Sequence, residues 1–431
     1  MAVTEPPVVD RAWIASLKTR IDLLGERGAF LVVAGPLLAI YLLTATWSYP
    51  LINDAATNSV AAWSMGTERS VYLEGYEPIQ DYYGWYGWFV PAGDSVASKY
   101  PPGTALLATP FYAVWPDEAE IAIFEPEDIP EEWRLDDQSS LTIPFVPIGP
   151  GALTAALTTA AAMGFLAVGL MRLGGSPRVA VAGAYLGGLG TGAWPVAADQ
   201  LWQHGPAMMW IALAMVLSDT SLLGSGFAYG AAILTRPPLA IVAACAGLMR
   251  SFRARLWRPA LMVGVGALAG LALFLAYNWW VFGEPSISAG YGGGFQEKFF
   301  SISGIGLYLR TLFDAAFSSE VGIFIWSPFL LVLLPGLRAG WRVSPPWVQG
   351  SAIGAVVYLL VQFKANRATG GTFLGYRYPL EALMAAAPIV FFSYRERVAN
   401  RPVLKRAFVL AGVIAVTVNG LAAVGIEVLP A

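Results

Sequence analysis

Gly28-Ala29-Phe30-Leu31-Val32-Val33-Ala34-Gly35-Pro36-Leu37-Leu38-Ala39-Ile40-Tyr41-Leu42-Leu43-Thr44-Ala45-Thr46-Trp47-Ser48 is a run without a single charged side chain. A helix rises about 1.5 Å per residue, so a run of this length covers the ~30 Å of hydrocarbon in a bilayer. The stretch before it is long and mixed in charge, and no small-residue cleavage site follows. The run therefore reads as a retained first membrane helix, with residues 1–27 as a cytoplasmic N-terminal segment.

Working outward, further apolar runs follow at roughly 150–171, 179–193, 205–218, 222–234, 238–249, 259–282, 319–337, 347–363, 376–393 and 407–428. The middle ones are short and broken by Gly, Trp-Pro and Arg-Pro-Pro, as partial or tilted spans are, and the whole gives about ten or eleven crossings. The expected fold is an all-α polytopic membrane protein. It has one transmembrane domain over residues 28–428, no separate soluble domain, two large loops at 49–149 and 283–318, and amphipathic helices on the outer face.

Composition agrees. Of 431 residues, 56% are hydrophobic and 13% charged, about half the charged share of a soluble domain. A net charge of -3 without a basic stripe argues against nucleic-acid binding, and the hydrophobicity argues against disorder. One cysteine, Cys245, allows no internal disulfide. One histidine, His204, leaves a metal site to carboxylates, so no metal or other cofactor is expected.

Charge also orients the chain. With the N-terminus cytoplasmic, the inner side collects most of the 26 basic residues, among them Arg172, Arg178, Arg250, Arg253, Arg338, Arg342, Arg395 and Arg401, and few of the 29 acidic ones. That is the positive-inside pattern, and it places both large loops outside. The first loop carries the aromatic run Asp81-Tyr82-Tyr83-Gly84-Trp85-Tyr86-Gly87-Trp88-Phe89, and the second a Gly-rich turn, Gly290-Tyr291-Gly292-Gly293-Gly294. Such aromatics suit either the headgroup zone or stacking on a sugar.

Charged groups near membrane depth mark candidate sites, because holding them there is costly. Asp54 follows the first span and opens an amphipathic segment running to Met65; it reads equally as a general base or as a helix N-cap. Lys99, in Lys99-Tyr100-Pro101-Pro102-Gly103-Thr104, can pin a phosphate beside a rigid turn or snorkel as an interfacial anchor. His204 closes the turn Asp199-Gln200-Leu201-Trp202-Gln203-His204. Arg236, before two prolines, and Arg377, in Gly375-Tyr376-Arg377-Tyr378-Pro379, are cations at outer helix ends. They suit bidentate phosphate binding or the capping of helix carbonyls.

In this order, an acid after the first span, Tyr-Pro-Pro-Gly-Thr, Trp-Gln-His-Gly, Leu-Thr-Arg-Pro, Trp-Ser-Pro and Gly-Tyr-Arg-Tyr-Pro resemble bacterial and archaeal members of the GT-C superfamily. These are polytopic glycosyltransferases that use polyprenyl-phosphate sugars, akin to dolichyl-phosphate-mannose mannosyltransferases and to aminoarabinose and arabinofuranosyl transferases. The resemblance runs from about Asp54 to Leu380. It implies that Asp54 deprotonates the acceptor hydroxyl, that Lys99, Tyr100, His204, Arg377 and Arg236 hold the donor phosphate, and that Trp85, Trp202 and Tyr376 contact sugar or acceptor. It also implies a polyprenyl-phosphate sugar donor, an envelope glycan, lipid or protein acceptor, membrane lipids as surroundings, and an extracytoplasmic active site. Two departures stand out. Many relatives carry adjacent paired acids where this chain has Asn53-Asp54, and many add a soluble C-terminal domain. A transporter or flippase of lipid-linked sugars would share the cavity and the cations but would have no use for a base at Asp54. A polymerase or ligase with a lipid-diphosphate donor would differ only in its leaving group.

Overall fold

The computed structural model describes residues 19–47, 53–79, 88–116, 118–125, 140–291, 304–368 and 375–425. In chain order they form α1 (Glu26–Thr44), α2 (Asn53–Trp63), the strands β1 (Phe89–Ala92) and β2 (Ser95–Ser98), α3 (Gly103–Val114), the strands β3 (Glu120–Phe124) and β4 (Leu141–Phe145), α4 (Gly149–Arg172) and α5 (Pro177–Leu189). Then come α6 (His204–Leu217), α7 (Leu222–Thr235), α8 (Ala240–Ala254), α9 (Arg258–Phe282), α10 (Ile305–Phe317), α11 (Ile323–Trp326), α12 (Phe329–Leu333), α13 (Leu337–Val343), α14 (Pro346–Ala365), α15 (Leu380–Ser393) and α16 (Pro402–Ala423).

The chain is a helical, multi-pass membrane protein. Five helices, α1, α4, α9, α14 and α16, are each long and apolar enough to cross a membrane unaided. The other apolar runs fold as shorter helices that pack against these. The run expected over 319–337 is broken. Ser327-Pro328 ends α11, and the short α12 gives way to a single 3-10 turn over Leu334–Gly336 before α13, because proline cannot donate into the helical ladder. Proline also starts helices, standing in the first turn of α5, α9, α14 and α16, where its missing N–H costs nothing. Ser176 and Ser221 cap α5 and α7 by accepting from Val179 and Gly224 amides.

α4 is the axis of the bundle: 78% of its most apolar window is buried inside the protein, against 22% for α1 and for α16. The residues left exposed on α9 and α16, such as Leu261, Leu268, Leu273, Val409, Leu410 and Val413, are those a lipid would cover. The tightest pairing is α7 on α9. A Cβ on Gly270 would stand 2.0 Å from the Gly230 carbonyl oxygen, and one on Gly266 would stand 2.3 Å from the Phe227 amide nitrogen. Gly226, Gly230, Gly266 and Gly270, spaced by four on each helix, thus let two backbones touch, which is how helices gain contact where there is no water to drive them together.

The sequence reading did not anticipate strands. β1 pairs antiparallel with β2 and β3 with β4, forming two hairpins in the first large loop. Together with α2 and α3 they build a small apolar layer of Val60, Leu73, Tyr76, Val96, Tyr112 and Leu201 over one end of the bundle. Cations collect at the other end. There Arg172 holds Glu26 and the Val216 carbonyl, Arg178 holds Asp22, Arg250 holds Asp219 and the Ser218 carbonyl, and Arg395 reaches the Leu173 carbonyl.

Candidate active site

Where the loop layer meets the bundle, local chain breaks aim the polar residues. Asp54 falls in the first turn of α2, where the positive helix end favours a carboxylate. The sequence had left an N-cap role open, but here the carboxylate serves other side chains. Oδ2 accepts from Arg377 Nη1 at 2.6 Å, Oδ1 accepts from Trp88 Nε1 at 2.7 Å, and the Tyr100 hydroxyl also bonds it. Burial alone would raise the carboxyl's proton affinity. Arg377, the bonds from Tyr100 and Trp88, and the charge of Lys99 outweigh burial and hold it below the usual carboxylate range. Burial, with the same carboxylate adding to it, pushes the Tyr100 phenol well above its ordinary range.

Arg377 is presented by a turn that Gly375 opens with φ +98°, in the left-handed region that favours glycine. Tyr378, ahead of Pro379, keeps the chain out of helix until α15 starts at Leu380. Its guanidinium lies 4.7 Å from the Trp202 ring and 4.8 Å from the Tyr378 ring, and Nη2 donates to the Tyr378 hydroxyl at 3.1 Å. Flat aromatic faces beside a planar cation fix its fork while leaving its charge intact.

Lys99 follows β2, and its ammonium sits 4.7 Å from Trp88, 5.1 Å from Tyr100 and 5.7 Å from Tyr291 ring centroids. A Cβ on Gly290 would come within 2.5 Å of the Lys99 carbonyl oxygen, so glycine there lets the strap after α9 bring Tyr291 over the lysine. The Pro-Pro-Gly turn docks next to Arg236. A Cβ on Gly103 would meet Leu234 and Thr235 backbone and hydroxyl atoms at 2.7 Å, at the end of α7.

A second polar group lies behind the first. Arg236 caps α7 with extended backbone, as a residue before proline must be. Its Nε is 3.3 Å from Glu381 Oε1, its Nη1 3.1 Å from His204 Nδ1, and its Nη2 donates to Gln362 Oε1 at 3.3 Å. His204 Nδ1 meets the same Glu381 oxygen at 2.8 Å, and the Tyr358 hydroxyl donates to Glu381 Oε2 at 3.3 Å. The Trp202 and His204 rings, 6.1 Å apart, join the two groups.

The structure therefore brings Asp54, Lys99, Tyr100, Trp202, His204, Arg236 and Arg377 into one connected cluster. Trp85 lies outside the described residues. Tyr376 is placed elsewhere: it is 1% exposed, its hydroxyl bonds Ser327, and Ser327 in turn donates to the Gly190 carbonyl, so it ties α11 and the end of α5 together. Sequence reading missed Trp88, Tyr291, Tyr358, Gln362 and Glu381. Glu381 carried a signal, being an acid inside an apolar run. Among the described residues, no three His, Cys, Asp or Glu side chains gather as a metal site would need.

No family model matches the chain, and no curated relative does. Among solved structures it is similar to ArnT from Cupriavidus metallidurans, crystallised bound to undecaprenyl phosphate. The TM-score is 0.54, with 13% identity over 96% of this chain and 76% of that one. The chain thus shares the fold of that membrane protein; an identity this low speaks to fold alone.

Proposed function

We propose that the chain is an integral membrane glycosyltransferase that moves a sugar from a polyprenyl-phosphate donor to a hydroxyl of an envelope glycan, lipid or protein on the extracytoplasmic face. The observation that carries this reading is the pairing of one carboxylate, Asp54, with Arg377 inside a cluster that also holds Lys99, His204 and Arg236. The GT-C-like fold, shared with a protein crystallised with undecaprenyl phosphate, supports the donor class. The basic residues gathered at the far end of the bundle support the sidedness.

In this mechanism the donor phosphate takes up the fork of Arg377 and the charge of Lys99, with His204 and Arg236 behind them. Asp54 accepts the proton of the acceptor hydroxyl as its oxygen attacks the anomeric carbon. The bond from that carbon to the phosphate oxygen breaks, and the phosphate leaves with a second negative charge, which the cations stabilise as it develops. Attack opposite the leaving group inverts the anomeric centre. Arg377 has two roles that compete. While it holds Asp54 the carboxylate is a weak base, and a phosphate that draws Arg377 away restores its proton affinity. Trp202, whose ring centre lies 4.7 Å from the Arg377 guanidinium, is the aromatic this reading assigns to the sugar.

The test is release of polyprenyl phosphate, followed by mass spectrometry, from membranes containing the chain and a lipid extract rich in polyprenyl-phosphate sugars. The parent should release it with matching loss of donor, and folded Asp54→Asn should be slower by about 100-fold or more. Equal rates would remove Asp54 as the base.

A further inference from the structure

Glu381 has no place in that chemistry, yet it is the most completely enclosed charged side chain of the cluster. Its side chain is 0% exposed, between His204 at 2% and Arg236 at 11%. A carboxylate at that depth is costly unless every lone pair is used. Here Oε1 faces both His204 Nδ1 and Arg236 Nε, while Oε2 accepts from Tyr358.

The three partners come from three different helices, two of them at helix ends. His204 opens α6, Arg236 closes α7 and Tyr358 belongs to α14, while α15 supplies the acid itself. The close approach at Gly205, where a Cβ would stand 2.5 Å from the Thr159 hydroxyl, pins the start of α6 against α4 and leaves His204 little room to move. Gln362 receives Arg236 Nη2, so that guanidinium is held at two edges. Arg377 meanwhile belongs to Asp54. The cluster is therefore two carboxylate–arginine pairs, one toward the loop layer and one enclosed, with Trp202 and His204 between them.

We infer that Glu381 is a positioning residue for recognition of the donor's phosphate: it binds Arg236 through Nε and His204 through Nδ1, and so fixes the Arg236 guanidinium, directly and through the imidazole beside it, behind Arg377. This rests on the lipid-phosphate reading above. With His204 Nδ1 donating to Glu381, its Nε2 carries the ring's lone pair and stands 3.4 Å from Arg236 Nη1, so the remaining Arg236 Nη N–H groups are the ones able to meet an anion, whatever lipid tail that anion carries. Tail recognition then belongs to other parts of the bundle, and Glu381 acts only on the charged head.

The experiment compares binding of undecaprenyl phosphate with binding of undecaprenol by the full chain in detergent, read by tryptophan fluorescence, for the parent, Glu381→Gln, Glu381→Asp and Arg377→Ala. The alcohol has the tail and lacks the charge, so a variant whose bundle has merely loosened loses both lipids alike. The expected result is a preference for phosphate over alcohol that falls about tenfold or more in Glu381→Gln and is partly regained in Glu381→Asp, with alcohol binding unchanged. Removing one partner of an enclosed pair can unfold a chain; Glu381→Asp keeps the charge and carries the test if the Gln variant does not fold. Parental preference in the folded Glu381 variants, with a reduced one in Arg377→Ala, would overturn the role of Glu381 and spare the lipid-phosphate reading. No preference for phosphate in the parent would overturn both.

Discussion

Arg377 Nη1 stands 2.6 Å from Asp54 Oδ2, joining two residues 323 positions apart in the chain. On the proposed mechanism these are the base and a phosphate-binding cation, and while they neutralise each other neither is fully available, so substrate has to separate them.

One consequence concerns donor affinity. In Asp54→Asn the guanidinium no longer has an anion to leave, so undecaprenyl phosphate should bind about threefold to tenfold more tightly than to the parent, even as transfer is lost. A fluorescence titration measures it. Weaker binding by the variant would mean that Arg377 does not change partners.

A second concerns pH. Asp54 is held below the ordinary carboxylate range, so its ionised form, and the stability its bonds contribute, persist until the pH falls through that depressed value. Trp88→Phe removes one hydrogen bond to the carboxylate and keeps a ring beside Lys99. The acid limb of the transfer rate should move to higher pH, with little change near neutrality. An acid limb that stays in place or moves down would take Asp54 out of the rate profile.

Asp199 gives the opposite sign. Burial pushes its carboxyl up to about 6 despite its bonds from the Thr46 amide and hydroxyl. The folded state therefore favours the protonated form, and this contribution is full below the unfolded value and lost as pH rises through 6. Asp199→Asn should stabilise the protein by about 1–3 kcal/mol at pH 8 and by about half as much at pH 5. Thermal unfolding in detergent at the two pH values checks it.

The α7–α9 contact supplies a paired comparison on one helix. Gly270→Ala forces a Cβ into the Gly230 backbone and should cost about 1–3 kcal/mol, whereas Gly264, with nothing within 4 Å of a Cβ, should accept alanine without loss. Equal melting temperatures for the two variants would mean that the helices do not pack so closely.

Much of this was legible before the structure because lipid imposes a harsh rule: uninterrupted apolar runs become helices, and a charge beside one needs a reason. Asp54, Lys99, Arg236 and Arg377 stood out on that ground. Glu381 sits in such a run as well, but its partners His204 and Arg236 lie 177 and more than a hundred residues away, and no local pattern couples them into a role. The hairpins escaped because four- and five-residue strands in a mixed loop carry too little alternation to register. Tyr376 shared a motif with Arg377, but adjacent residues in extended chain point apart, one to the cluster and one to Ser327.

The span between Asp54 and Arg377 also bears on biogenesis. As the chain emerges from the ribosome, α2 is made early, while Arg377 and Glu381 arrive together at the threshold of α15. Until that point Asp54 has no arginine, and Arg236 and His204 have no acid. A chain stopped before Arg377 would already hold the pairs of Arg172 with Glu26 and Arg250 with Asp219, but neither carboxylate–arginine pair of the cluster. The cluster can therefore close only after α15 has begun, more than three hundred residues after α2 is made.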